Sequence, residues 1–236
     1  MATYRLDCHA HTGHSSDCLL PAERLLAAAL RRGLAGIAVT DHDSFGGALQ
    51  AAALAERVPE HYGCARLAVI PGEEVKTTEG EIIGLGLREA IPRGLTPEET
   101  IARIRDQGGL AIVPHPFDRL RGSRLREAAL LRVAHLVDAI EVLNARTTVP
   151  ADNTRARVFA RAHRLLMVAG SDAHTAREVG AAYVELDAPP SVEPAALLEQ
   201  LRRGRTGGRL SLPLVHLDSK LARWRKRLGL APAVQL

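Results

Sequence analysis

The sequence predicts an α/β fold in which a parallel sheet is covered by helices. Short apolar runs alternate with longer amphipathic segments through most of the 236 residues. Proline and glycine punctuate those segments where helices start and stop. Residues able to bind metals gather where the apolar runs end. In parallel α/β folds, that end of the sheet is where active sites assemble.

In chain order, strands are expected at Tyr4–Cys8, Gly36–Thr40, Leu67–Ile70, Ile82–Leu87, Leu110–Val113, Ala139–Leu143, Leu166–Ala169 and Ala181–Glu185. Helices are expected at Pro21–Arg32, Phe45–Arg57, Pro97–Gln107, Ser123–His135, Ala151–His163 and Pro194–Arg203. Pro21, Pro97 and Pro194 suit a first helical turn, and Gly33, Gly108 and Gly204 suit a stop. Periodicity alone leaves a closed barrel and an open doubly wound sheet both standing. With no linker or internal repeat, one domain over residues 1–215 is the economical division. Residues 216–236 form a basic, helical tail around Leu221, Trp224 and Leu228. It is read as a solvated helix with a few docked residues, or as a basic surface for a membrane or partner.

Composition narrows the class. Apolar residues make up 46% and charged residues 25%, ordinary for a globular chain. No stretch approaches the ~20 apolar residues of a membrane helix. Nor does the start of the chain resemble a signal peptide, so a cytoplasmic protein without a membrane partner is expected. Cys8, Cys18 and Cys64 are too few and too scattered for a disulfide framework. A formal charge of +4 suits an anionic substrate. Aromatic residues are only 3%, so no stacking platform for single-stranded nucleic acid is foreseen.

The chemistry lies at the ends of the apolar runs: Asp7-Cys8-His9-Ala10-His11, Thr40-Asp41-His42-Asp43, Pro71-Gly72-Glu73-Glu74, Pro114-His115-Pro116, Asn144, and Gly170-Ser171-Asp172-Ala173-His174. Strand side chains alternate, so His9 and His11 project to one side and can share an ion. Mixed imidazole and carboxylate ligands suit Zn, Mn or Fe. So many ligands exceed what one ion uses, which implies a site with two or more metals. Any one of these segments alone would pass for a helix cap or a polar turn; their joint occurrence is the signal. His61, His135 and His163 lie in or beside expected helices and are read as surface or packing residues, whereas His14 and His216 have no assigned place.

These segments, in this order, resemble the PHP (polymerase and histidinol phosphatase) domain family, over about residues 4 to 185. The resemblance implies a distorted (β/α)7, TIM-like barrel with a metal site at the carboxyl ends of the strands. It also implies two or three divalent ions (Mn, Fe or Zn). His9, His11 and Asp172 would bind the first; Glu74 would bridge to the second, with His115; Asp17, His42 and His174 would bind the third. Two positions depart from the family pattern. Asn144 stands where many members have histidine, making it a weaker oxygen ligand, and Ile83 stands where several have another histidine. A loosely held second metal is expected, with Mn or Fe supporting more activity than Zn.

The expected reaction is hydrolysis of a phosphate ester by a hydroxide bridging two metals, on a small phosphomonoester or nucleotide. The alternative is a phosphodiesterase or nuclease acting on nucleic-acid ends. Arg146 leads the candidates for holding the phosphate, with Arg119 and Arg121 behind it. Asp7 and Asp43 are expected to orient the ligand imidazoles. A hydrolase acting on amides or lactones, or a non-catalytic metal-binding domain, ranks lower.

Overall fold

Apolar alternation and helix punctuation become the elements they foretell. In this computed structural model, which describes residues 3–57 and 66–230, the strands are β1 (Tyr4–Ala10), β2 (Gly36–Val39), β3 (Ala68–Thr77), β4 (Gly80–Leu85), β5 (Leu110–Val113), β6 (Ala139–Asn144), β7 (Leu166–Gly170), β8 (Ala182–Leu186) and β9 (Arg205–Gly208). The helices are α1 (Ala22–Arg31), α2 (Gly46–Arg57), α3 (Pro97–Asp106), α4 (Glu127–Val133), α5 (Pro150–Ala162), α6 (Pro194–Arg203) and α7 (Val215–Arg227). His61 and Cys64 lie outside the described residues, as do tail residues 231–236.

Helix starts reflect the local chemistry. Thr96 caps α3 by accepting the Glu99 N–H, and the Glu99 carboxylate accepts the Thr96 N–H in return. Pro97, Pro150 and Pro194 occupy first helical turns, where no N–H is missed.

The strands form one mixed sheet in the order β7-β6-β5-β4-β3-β2-β1-β8-β9. Neighbours from β1 to β3 and from β5 to β7 are parallel, while β4 runs antiparallel between the two groups. This corrects the all-parallel expectation. Only Thr78 and Glu79 separate β3 from β4, and a parallel crossover needs a dozen residues or more. β8 is likewise antiparallel to β1, and β9, unforeseen in the sequence, pairs with β8. β3 also runs through Glu74 to Thr77, so Glu73 and Glu74 lie inside a strand and not after it.

The sheet nearly closes into a barrel. Beyond β7, Asp172 donates its N–H to the His9 carbonyl (2.7 Å), and His11 donates to the Ala173 carbonyl (3.0 Å). One apolar group, including Leu25, Leu26, Ile101, Ile104 and Leu130, packs the helices on the sheet. A second comes mainly from strands (Leu6, Cys8, Ile70, Ile83, Leu85, Ile112 and Val168) and is completed by Leu197 and Leu201 of α6.

Candidate metal centre

Two bulges aim side chains at the barrel mouth. Between Asp7 and Ala10, β1 advances three residues while β2 advances two, and β6 gains one residue on β7 between Glu141 and Leu143. Bulges re-aim the side chains beside them, here His9 and the Glu141–Asn144 segment. Gly170 permits the approach of β7 to β1: a Cβ there would stand 2.3 Å from the His9 Cβ and 2.8 Å from the Glu141 carboxylate. His115 and Asp172 sit at positive φ, +29° and +53°. Non-glycine residues rarely adopt this region, and it recurs at functional sites.

His9, His11, Glu74, His115 and Asp172 are buried together. His9 Nε2 lies 3.0 Å from His11 Nε2 and 3.2 Å from Glu74 Oε2. Asp172 Oδ1 is 3.2 Å from His11 Nε2, and Glu74 Oε1 is 2.9 Å from His115 Nε2. The third group stands alongside. His174 Nε2 and His42 Nε2 lie 3.2 and 3.7 Å from Asp17 Oδ1, and His42 Nδ1 is 3.0 Å from Glu74 Oε2. Ligand atoms of three sets, His9–His11–Asp172, His9–Glu74–His115 and His11–His42–His174, each lie within 4.8 Å of one another.

The hydrogen bonds set which ring nitrogen of each imidazole is free to bind a cation. The Ser15 hydroxyl donates to Asp41 Oδ1 (2.6 Å), so toward His11 Nδ1 (2.9 Å) it can only accept. His11 Nε2 must then carry a lone pair. Glu141 accepts from His9 Nδ1 (3.2 Å), and the Asp172 carbonyl accepts from His174 Nδ1 (2.8 Å). These acceptors turn each Nε2 toward the cluster, where Asp172 Oδ1 and Asp17 Oδ1 are buried without hydrogen-bond partners. Buried lone pairs and carboxylates this close repel one another unless positive charge lies among them. The donor set therefore fits divalent cations.

The charges agree. Burial would raise the Asp172 carboxyl, but Arg121 and His9 beside it hold it well below the usual range. Burial likewise opposes the low value of Glu74, and His42 and His9 override it. Burial depresses His11, helped by His174 and His42, so His11 stays neutral. For His9 burial is outweighed by Glu74, Asp172 and Glu141, which raise its pKa well above the ordinary value.

Several expected roles change hands. Asn144 donates its amide to Glu141 Oε2 (2.9 Å) and Asp172 Oδ2 (3.2 Å), while its oxygen accepts the Arg146 N–H (2.9 Å). Two carboxylates demand a donor, so the oxygen faces away from the ligands. Asp7 accepts the backbone N–H groups of His9, Ser171 and Gly180, and binds no imidazole. Asp43 accepts the Lys76 N–H and pairs with Arg93. The orienting roles belong to Glu141, Ser15 and a backbone carbonyl.

Of the arginines, Arg119 is bound to Asp152 (2.6 Å). Arg146 is buried against Glu178 (3.3 Å) and donates to Ser219 Oγ and the Val215 carbonyl of α7 (both 2.9 Å). Of these three, Arg121 is the one whose guanidinium pairs with a carboxylate of the cluster, at 2.5 Å from Asp172 Oδ2.

The basic tail is part of the mouth. From α7, Arg223 pairs with Asp17 Oδ2 (2.9 Å), and Lys226 donates to the carbonyls of Gly13 and Ser15. His216 packs against Thr148 and Arg146. His14 lies beside Gln50 on α2, and His135 and His163 are exposed on the helical side. A cleft of about 1120 Å³ opens over the cluster, lined by Asp17, His42, Glu81, Arg121, His174 and Arg223 among others.

Known proteins point the same way. A protein of Methanocaldococcus jannaschii, itself called uncharacterized, is 36% identical over 154 residues, or 60% of this chain and 82% of that protein. A two-domain Bacteroides vulgatus protein, described as containing a predicted PHP-like metal-dependent phosphoesterase, superposes with a TM-score of 0.69 at 17% identity. The match covers 94% of this chain and 70% of that one. A lesion-specific endonuclease from Pyrococcus furiosus shares the fold at a TM-score of 0.57 and 14% identity, over 99% of this chain and 73% of its own. Residues 150–206 match the PHP-associated domain. Residues 7–154, which carry most of the cluster, match the PHP domain, and the chain belongs to the PHP family.

Proposed function

We propose that this protein is a metal-dependent phosphoester hydrolase acting on a small phosphomonoester or nucleotide. One observation carries the reading: His9 Nε2 and His11 Nε2 face each other at 3.0 Å, with Glu74 and Asp172 oxygens beside them and each Nδ1 already engaged. His9, His11 and Asp172 would hold one divalent cation, Glu74 and His115 a second, and Asp17, His42 and His174 a third. Such ions would lower the pKa of bound water toward ~7 and offset charge on phosphoryl oxygens.

The chain's own groups do the rest. Glu141 and Ser15 keep the imidazoles in the ligand tautomer. Arg121 is placed to fork onto a non-bridging phosphate oxygen beside Asp172. Lys220, Arg223, Lys226 and Arg227 rim the cleft with positive charge, which suits an anionic substrate.

The test is phosphate release from sugar, amino-alcohol and nucleotide monoesters, with diesters alongside, in Mn²⁺ and in chelator. Chelator-sensitive monoester turnover is expected. Turnover confined to diesters or oligonucleotides would favour the nuclease reading, for which the cationic rim is the supporting observation. No turnover of either class by metal-loaded protein would overturn the proposal.

A further inference from the structure

The second cation position is short of ligands. Glu74 and His115 supply two, Asn144 has turned its oxygen away, and Ile83 on β4 is an apolar residue 1% exposed. Yet β4 runs opposite to its neighbours, so it begins at the mouth where they finish. Residues two apart on a strand share a face, and Glu81 stands one step nearer the mouth than Ile83 on that face.

The Glu81 side chain is buried, and its Oε2 has no hydrogen-bond partner. That oxygen lies 3.8 Å from His115 Nε2, and Oε1 lies 3.7 Å from His42 Nδ1. Both distances are too long for hydrogen bonds. Ser123 is the hydrogen-bonding neighbour of the carboxylate. Ligand atoms of Glu81, Glu74 and His42 nevertheless lie within 4.8 Å of one another. Ser123 answers one side of the carboxylate, but a buried carboxylate serving only as a structural acceptor would close on donors with both oxygens. This one stops short of two imidazoles and faces a second buried carboxylate, a spacing that leaves room for an ion.

We propose that Glu81 is a ligand of the second cation, together with Glu74 and His115. The inference rests on the metal-centre reading above and adds a residue to it. Two carboxylates and one imidazole make a harder set than the two imidazoles and one carboxylate of the first position, so the second should favour Mn²⁺ or Fe²⁺ over Zn²⁺.

The experiment measures bound metal by elemental analysis, and Mn²⁺ affinity by competition with a chelating dye, on the full chain. Glu81→Gln should lose one metal equivalent, or bind one Mn²⁺ at least about tenfold more weakly, with the other sites unchanged. Glu81→Asp keeps the charge but withdraws it by one methylene, so it should fall between the two and covers a Gln variant that fails to fold. Glu81→His should regain the equivalent with Zn²⁺ now preferred. Wild-type stoichiometry and affinity in both Glu81→Gln and Glu81→Asp would overturn this proposal alone. A wild-type chain that takes up no divalent cation would overturn the metal-centre reading with it.

Discussion

The two ends of the same barrel are built on opposite terms. At the carboxyl ends of the parallel strands, buried His9, His11, Glu74, His115 and Asp172 crowd together, and two of their polar atoms, His115 Nδ1 and Asp172 Oδ1, lack hydrogen-bond partners. At the amino ends a cleft of about 1170 Å³ is lined largely by apolar groups, among them Leu34, Leu67, Val69, Leu87 and Pro190. Burying unpaired polar atoms costs free energy and burying apolar area supplies it. The mouth is therefore the expensive end, held in shape by the strand-derived core beneath it.

The largest effect should come from the mouth. Replacing His9 together with His11 by Ala is expected to lower kcat/KM at least about 10²-fold. It should also abolish any rise in unfolding temperature that Mn²⁺ gives the wild type; a retained shift would break the contrast between the ends.

The core beneath should respond in stability and not in metal binding. Leu85→Ala removes a fully buried side chain and should cost roughly 2–5 kcal/mol in urea unfolding. The Mn²⁺ affinity of the remaining folded protein should stay close to wild type. A parallel collapse of affinity would mean that the mouth is not a separable unit.

A smaller effect sharpens the contrast with an ion pair lying off the cluster. Burial works against the Asp152 carboxylate, but hydrogen bonds from Arg119 hold its pKa below the usual value. A depressed carboxylate stabilises the fold above its unfolded pKa of ~3.9, and that stability is lost as pH falls through the lower folded value. Asp152→Asn should cost about 1 kcal/mol at pH 7, discounted for the exposed Arg119, with the gap to wild type narrowing at low pH. A gap independent of pH in urea unfolding would assign the effect to packing.

The proposed ligands announced themselves in sequence because of where strands end. His9, His11, His42, His115, Asp172 and His174 finish apolar runs or come just after them, and the fold brings that end of every parallel strand to one place. Glu141 and Glu81 gave no such signal: a lone Glu between isoleucine and valine, or before two isoleucines, reads as the solvent side of a half-buried strand. Ser15 looks like any loop serine until its donor role toward Asp41 is known. Arginines are abundant here, so only three-dimensional pairing separates Arg119 and Arg146, held by Asp152 and Glu178, from Arg121, held by Asp172 within the cluster.

By itself, then, the sequence determined which elements form, which family they belong to and most of the residues at the mouth, because periodicity, punctuation and strand-end chemistry are local. The tertiary structure alone decided the reversal of β4, the turning of Asn144, the docking of α7 over the mouth and the partners that set each imidazole's tautomer. Those depend on contacts between residues far apart in the chain, such as His9 with Glu141 and Asp17 with Arg223, where the choice among hydrogen-bond partners is made by packing and not by neighbours in sequence.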